Sequence, residues 1–281
     1  MPGLILIVLL VLASPCWAHP DLQLQIEELT RQLAEDPGNA GFLLKRGDLH
    51  RRHNNWDLAR TDFKRVRQLQ PDNKDIDWFE GRLEVEAGQP EMGVVYLDRF
   101  LDTNPGHLIA LQNRAQGYLS LGQPLLAAQD YQVVIQKSGK PGPSLYGANA
   151  SALIAAGANY FPQSMRVVRE GLLRFPGEVS LSGMGTDISL AVVDTDSAQD
   201  LINSLPGSIL GLLQWQTRVA LLDCEAGRGN QALQWFTRAI ENPPQTRNIS
   251  SYLSEEWLRK LVAEPTPENC QAAALDKLQT R

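Results

Sequence analysis

The stretch that decides the fold is AGFLLKRGDLHRRHNNWDLARTDFKRVRQLQPDN, residues 40–73. Its small, aromatic and proline positions return at intervals of 34 residues along the chain. A fixed period of this length is typical of one helix-turn-helix unit stacked on copies of itself. Four columns keep the spacing: Gly47, Gly81 and Ala115; Ala59, Gly93 and Ala127; Phe63, Leu97 and Tyr131; Pro37, Pro71 and Pro105.

The pattern inside this stretch predicts two closely packed helices. Asn54 suits the turn between them, because asparagine tolerates the left-handed backbone that such turns need. Gly47 and Ala59 are small enough to let the two helices approach, and Phe63 fills the space beside them. Pro71 ends the second helix, because proline cannot continue the hydrogen-bond ladder.

Residues 40–141 contain three well-matched units of this kind, with Gly88 and Gly122 in the later turns. The pattern resembles the tetratricopeptide repeat family. The sequence departs from that family at Leu43 and Asp77, where a tryptophan is common. The residues that carry the resemblance are Gly47, Ala59, Phe63, Pro71 and their counterparts in the later units.

The resemblance implies an all-α fold, a right-handed α-solenoid of stacked helix-turn-helix repeats with capping helices. In the family, the first helix of each unit lines a concave groove that holds a partner. The resemblance therefore implies a non-catalytic protein that binds another protein or an extended peptide.

The repeats weaken after a three-residue slip at residues 142–144. Residues 142–212 are expected to form degenerate units, with Asn159 at one turn position. Gly183 and Gly185 fall in what should be a first helix, and glycine costs about 1 kcal/mol inside a helix. We therefore expect a shortened or distorted helix pair there, before a well-matched unit at residues 213–246.

Helices are also predicted at both ends of the array. Residues 19–39 are expected to form an N-terminal capping helix, and residues 247–281 a pair of C-terminal capping helices. Ser254 is suited to begin one of these, and Thr266 followed by Pro267 the other. Such helices hide the bare faces at the ends of a stack.

The first eighteen residues differ from all that follows. An almost continuous apolar run ends in small residues, which is typical of a secretory signal peptide cleaved after Ala18. The alternatives are an uncleaved anchor or a lipid-modified Cys16. We expect an exported protein, periplasmic or extracellular, with no membrane span after cleavage.

Two cysteines remain after removal of this leader, Cys224 and Cys270. In an oxidising compartment they can form one disulfide. The alternative is a pair of buried thiols that act as small apolar side chains.

Charge and motifs point away from nucleic acid and from catalysis. The net charge is −6, and no basic run offers the clustered cations that bind phosphates. The sequence contains no glycine-rich phosphate loop and no nucleophile elbow. We therefore expect no enzyme activity and no cofactor.

The histidines give only weak metal candidates. His50 and His53 share one helix face, but no third ligand follows and two arginines lie between them, so a solvated helix end is the favoured interpretation. His19 would be the mature N-terminus and would bind copper only with a second histidine opposite it. We predict no metal site, and keep a metal or enzymatic role centred on His19 as a minor alternative.

Residues of the first helices are the candidate partner-binding residues. Trp78 beside Arg82 would suit an interface anchor, and the alternative is that Trp78 packs between units. Leu44 and Asp48 replace the Lys and Asn with which one class of the family binds chaperone carboxylates, so that class is disfavoured. A second hypothesis is an assembly or secretion factor that docks to an envelope complex by its convex face or its C-terminal tail around Trp257. The candidate groove residues are Asp48, Arg51, Arg52, Trp78, Arg82, Gln112, Gln116 and Asn149.

Overall fold

The computed structural model describes residues 20–241 and 253–279. Every regular element in this part of the chain is a helix, and consecutive helices pack in antiparallel pairs. The predicted all-α stack of helix pairs is confirmed. The chain divides into two compact units, with the boundary inside one helix between Phe100 and Leu101.

Unit 1 begins with a single helix that packs against the first pair. Ile26 and Leu33 of this helix are buried, as a capping helix requires. The helices are α1 (Pro20–Glu35), α2 (Ala40–Arg52), α3 (Trp56–Leu69), α4 (Ile76–Glu86) and α5 (Pro90–Thr103), the last of which continues into unit 2.

Unit 2 contains four further helix pairs and two terminal helices. A short 3-10 turn, Ala158–Tyr160, precedes one of its second helices. The helices are α6 (Leu108–Ser120), α7 (Pro124–Lys137), α8 (Pro143–Ala155), α9 (Phe161–Arg174), α10 (Val179–Ala191), α11 (Thr195–Asn203), α12 (Gly207–Leu210), α13 (Leu213–Glu225), α14 (Gly229–Glu241), α15 (Glu255–Ala263) and α16 (Pro267–Gln279).

Small residues set the distance between the helices of a pair, as the sequence predicts. A Cβ atom added to Gly47 would overlap the ring of Phe63, and both Phe63 and Ala59 are fully buried. In unit 2, Ala115 and Tyr131 occupy the repeat positions of Gly47 and Phe63, and both are buried.

The turns within pairs repeat one backbone conformation. Asn54, Gly88 and Gly122 all have positive φ, at 60°, 79° and 67°. The prediction for Asn159 is wrong: the left-handed residue in that turn is Gly157, with φ 108°, and Asn159 lies in the 3-10 turn that follows. Glycine adopts a positive φ without the steric cost of a Cβ atom. The turn therefore uses Gly157 instead of Asn159, the position that the spacing alone predicts.

The degenerate segment is shortened in its second helix, not in its first. The helix that contains Gly183 and Gly185 keeps 13 residues, whereas α11 has only 9. Both glycines leave room for neighbours: an added Cβ would lie 3.1 Å from Arg218 Nη2 at Gly183 and 2.9 Å from Leu201 Cδ1 at Gly185. Close packing offsets the helix propensity that these glycines lack.

The final two helices begin where the sequence places them. The Ser254 side chain accepts a hydrogen bond from the Trp257 amide at 3.2 Å, and α16 begins at Pro267. α15 packs against α14, but α16 turns back and packs against α8, α10 and α13. The last helix therefore does not cap the end of the stack, in contrast to the expectation from its terminal position.

Candidate partner-binding surface

Within each unit, the first helices of the pairs form a surface that we call the A-helix face of that unit. In unit 1 this face is formed by α2 and α4. A ring of two arginines and two acids joins them. Asp48 Oδ1 accepts from Arg51 Nε at 2.9 Å and from Arg82 Nη2 at 3.0 Å, and Arg51 and Arg82 both pair with Glu86. The ring is balanced in charge, so its arginines stabilise the face more than they attract an anion.

Trp78 is half-buried within this face. Its ring stacks on Phe100 with centroids 6.2 Å apart, and Arg82 lies 5.8 Å from its centroid. The Trp78 and Arg82 pair exists as expected, but the indole packs against a neighbouring helix instead of standing free. Arg51 is buried as well, which leaves Arg52 as the exposed cation among the residues predicted on α2.

An open pocket adjoins the ring where α1, α2 and α4 meet. Its volume is about 290 Å³. The walls are mainly apolar, with one cation and one acid at the edge, and Asp48 links the pocket to the ring. The lining residues are Gln25, Leu29, Leu44, Lys45, Asp48, Leu49 and Phe79. This combination of apolar wall and few polar groups is typical of a binding site.

The predicted groove residues of unit 2 have different environments. Gln112 is half-buried and bonds the Leu108 carbonyl of its own helix at 3.4 Å. Gln116 is exposed. Asn149 is 1% exposed and donates to Gln132 Oε1 at 2.9 Å. Of these three side chains, only Gln116 is fully available at the surface.

Much of the A-helix face of unit 2 is covered by α16. Its buried residues recur at helical spacing, so one side of the helix lies against the first helices α8, α10 and α13. Leu278 joins the core around α8, while the earlier residues join the core around α13. The buried residues of α16 are Cys270, Ala273, Ala274, Lys277 and Leu278.

A buried charge cluster lies beneath α16. Asp187 of α10 accepts from Arg218 Nε at 2.9 Å and from Arg218 Nη2 at 2.7 Å. It also accepts from Lys277 Nζ of α16 at 2.8 Å. Asp187 is the only charged residue in α10. An isolated acid in an otherwise uncharged helix was the one sequence signal for a buried pair, and the repeat spacing does not identify it.

A disulfide joins α13 to α16. The Sγ atoms of Cys224 and Cys270 are 1.99 Å apart, and both residues are fully buried. The disulfide lies in the hydrophobic core that also contains Leu221, Phe236 and Leu261. The covalent bond and the charge cluster thus hold opposite ends of the same helix.

The histidines of the described residues belong to no cluster of three or more metal-ligating side chains. His50 is buried, and burial lowers the pKa of its ring; the expected solvated helix end is therefore wrong for this residue. The Nδ1 atom of His107 caps α6 by accepting from the Ala110 amide at 3.1 Å. No group of three or more metal-ligating side chains occurs in residues 20–241 and 253–279. His19, Cys16 and the leader lie outside the described residues.

One acid is held in an environment that disfavours its charge. Neither carboxylate oxygen of Glu225 has a hydrogen-bond partner within the part of the chain that the structure describes. Burial raises the pKa of Glu225 to about 8. The group lies at the C-terminal end of α13, where the helix dipole also opposes negative charge.

Within residues 20–241 and 253–279, no helix is both long enough and apolar enough to span a membrane.

Comparisons with known proteins agree with the repeat pattern. A family model described as tetratricopeptide repeat matches residues 44–91. A solved tetratricopeptide repeat protein from Parabacteroides merdae is similar over 87% of this chain and 92% of its own, with 17% identity and a TM-score of 0.53. The solved structure of MamA matches 53% of this chain and 90% of its own, with 20% identity and a TM-score of 0.44. No curated protein matches the chain.

Proposed function

Because this chain carries tetratricopeptide repeats, we propose that it is an exported, non-catalytic adaptor that binds a protein or an extended peptide on its A-helix face. The repeat fold suggests protein–protein interaction, and proteins of this family are generally scaffolds. The partner is a protein segment, since neither the charge of the chain nor its described side chains favour nucleic acid or catalysis.

The observation that carries the proposal is the pocket between α1, α2 and α4. It is open, apolar along most of its wall, and adjoined by the charge ring that links α2 to α4. A partner side chain that filled the pocket would bury apolar surface against Leu44 and Phe79. Lys45 and Asp48 at the edge would then select the polar groups that flank it.

Export has separate support. The structure contains a disulfide between Cys224 and Cys270, and disulfides persist in oxidising compartments but are uncommon in the cytosol. N-terminal sequencing of the mature protein tests the proposal. We expect His19 as the first residue, and a mature chain that retains Met1 would contradict cleavage.

The adaptor function is tested by affinity capture from the exported fraction, followed by mass spectrometry. Leu44→Asp places a charge in the apolar wall of the pocket, so the captured partner should fall at least about tenfold. Leu173→Asp is the matched control, because Leu173 is 84% exposed on α9 and does not line the pocket. Circular dichroism of both variants establishes that each is folded. Undiminished capture by a folded Leu44→Asp protein would reject this site.

The alternative is docking through the second helices, which one observation favours. Leu58 of α3 and Met92 of α5 occupy the same register position in successive repeats and are 52% and 49% exposed. Exposed apolar side chains at a repeated position are typical of an interaction surface. A Leu58→Asp, Met92→Asp double variant that loses capture, while Leu44→Asp retains it, would favour this alternative.

A further inference from the structure

The last helix, α16, is bound as a separate helical ligand would be bound. It presents one apolar stripe to three first helices and leaves Gln271, Ala272 and Asp276 on the opposite side exposed. Ala273 and Ala274 are almost completely buried, and such small side chains allow a helix to lie close to the surface that receives it. This is the geometry of an amphipathic helix in a groove.

The anionic site beneath α16 is built by the repeat helices themselves. Both carboxylate oxygens of Asp187 are held by the guanidinium of Arg218, which belongs to the same repeat array. The ring of Trp215 supports that guanidinium, with Arg218 Cζ 4.7 Å from its centroid. The Gly183 carbonyl accepts from the same side chain at 3.3 Å. Asp187 is therefore fixed in place by α10 and α13, and Lys277 is an added contact.

Lys277 gives the bound helix its orientation. Its ammonium reaches Asp187 Oδ1 at 2.8 Å, although the two residues are 90 positions apart in the sequence. Both side chains are about 2% exposed. A buried cation needs a fixed anion, so a helix that carried an acid at this position would be rejected.

We propose that the A-helix face of α8, α10 and α13 is a binding site for a short amphipathic helix with two adjacent small residues followed by a lysine one turn later. α16 is its resident ligand, and the Cys224–Cys270 disulfide retains it. A partner helix of the same pattern binds there when α16 is displaced. The inference rests on the proposed function and specifies the partner that this part of the face accepts.

The experiment uses the full chain and a synthetic peptide. The probe is a fluorescein-labelled peptide of residues 267–279 with Cys270→Ser. The receptor is the full chain with Cys270→Ser and Ala274→Arg, because an arginine at a buried alanine prevents α16 from docking in cis. The matched control is Cys270→Ser with Gln271→Arg, which adds the same charge on the exposed side of α16 and leaves it docked.

We expect the peptide to bind the Ala274→Arg receptor and to bind the Gln271→Arg control at least about tenfold more weakly, since the tethered helix competes at high effective concentration. A peptide with Lys277→Glu should also bind at least about tenfold more weakly, because it opposes Asp187. Fluorescence anisotropy measures all three.

Three outcomes overturn the proposal. The first is a folded Ala274→Arg receptor that does not bind the peptide. The second is equal binding by receptor and control, which would place the peptide elsewhere. The third is an Ala274→Arg receptor that no longer unfolds cooperatively, which would show that α16 belongs to the core. These outcomes concern unit 2 alone, so they differ from failure of the Leu44→Asp capture in unit 1.

Discussion

Lys277 and Asp187 form an ion pair that is about 2% exposed on each side, with Nζ and Oδ1 2.8 Å apart. Asp187 pairs with two cations, Arg218 and Lys277, so removal of Asp187 and removal of Lys277 should not cost the same free energy of unfolding. Asp187→Ala leaves Arg218 and Lys277 buried without their anion and should cost about 3–5 kcal/mol of unfolding free energy. Lys277→Met leaves the Asp187–Arg218 pair intact and should cost only about 1–2 kcal/mol.

Urea unfolding of the two variants measures this difference. Arg31→Ala is the control, since its ion pairs with Glu28 and Glu35 are exposed and should leave the urea midpoint nearly unchanged. Equal losses for Asp187→Ala and Lys277→Met would mean that Arg218 does not hold the carboxylate independently.

The disulfide should stabilise the chain by restricting its unfolded state. Cys224 and Cys270 are 46 positions apart, and closing a loop of this length contributes about 4 kcal/mol in the chain-entropy treatment. Replacing both residues by alanine should lower the urea midpoint, and adding a reductant should lower that of the wild-type chain but not of the variant. An unchanged midpoint in the double variant would show that the bond contributes nothing.

The pair formed by α2 and α3 should not tolerate an added methyl group at Gly47. Gly47→Ala would place a Cβ atom against the Phe63 ring, which is fully buried and cannot move aside. We expect a loss of about 1–3 kcal/mol. The matched control is Gly147→Ala in α8, where an added Cβ meets only Leu181 Cδ2 at 3.9 Å. This change should raise the free energy of unfolding by about 0.5–1 kcal/mol, because alanine favours a helix more than glycine does. Thermal unfolding followed by circular dichroism measures both.

Val193 occupies a turn position that glycine fills elsewhere. Its φ is 59°, and a β-branched residue in this conformation is strained by about 1–3 kcal/mol. Val193→Gly removes that strain and should raise the free energy of unfolding by about 1 kcal/mol. Gly88→Val is the reverse change, at a site where an added Cβ would meet no atom within 4 Å, and should be destabilising. Urea midpoints that moved in the same direction would refute this explanation.

Glu225 should make stability depend on pH. The folded-state pKa of Glu225 is raised to about 8 from its ordinary value of 4.5, so between these values the folded state binds more protons than the unfolded state. Stability then falls as pH rises from about 4.5 to 8. Because the residue keeps some exposure, we expect a loss of about 2 kcal/mol. Glu225→Gln should remove this slope in urea unfolding across the range, and an unchanged slope would assign it to other groups.

The fold within each repeat could be predicted from the sequence because its causes are local. Gly47 and Phe63 meet within one helix pair, and Asn54 turns the chain beside them, so a period of 34 residues fixes all three positions. The exposed fraction of the Trp78 side chain was harder to predict from the sequence. Register assigns a residue to a face, but only the neighbouring helix decides whether Phe100 covers the ring.

The docking of α16 could not be predicted from periodicity. A repeat pattern describes contacts between successive pairs, whereas Lys277 meets a residue 90 positions away. The alanines and the lysine of α16 are ordinary for any helix. Asp187, the only charged residue of α10, indicates that a cation is needed beside it, but a single acid in an otherwise uncharged helix does not identify its partner.

The bond between Cys224 and Cys270 also changes what a break in the backbone would do. A protease that cut one peptide bond between these residues would leave the final helix covalently attached to α13. The nicked protein would remain one molecule until a reductant separated its two fragments.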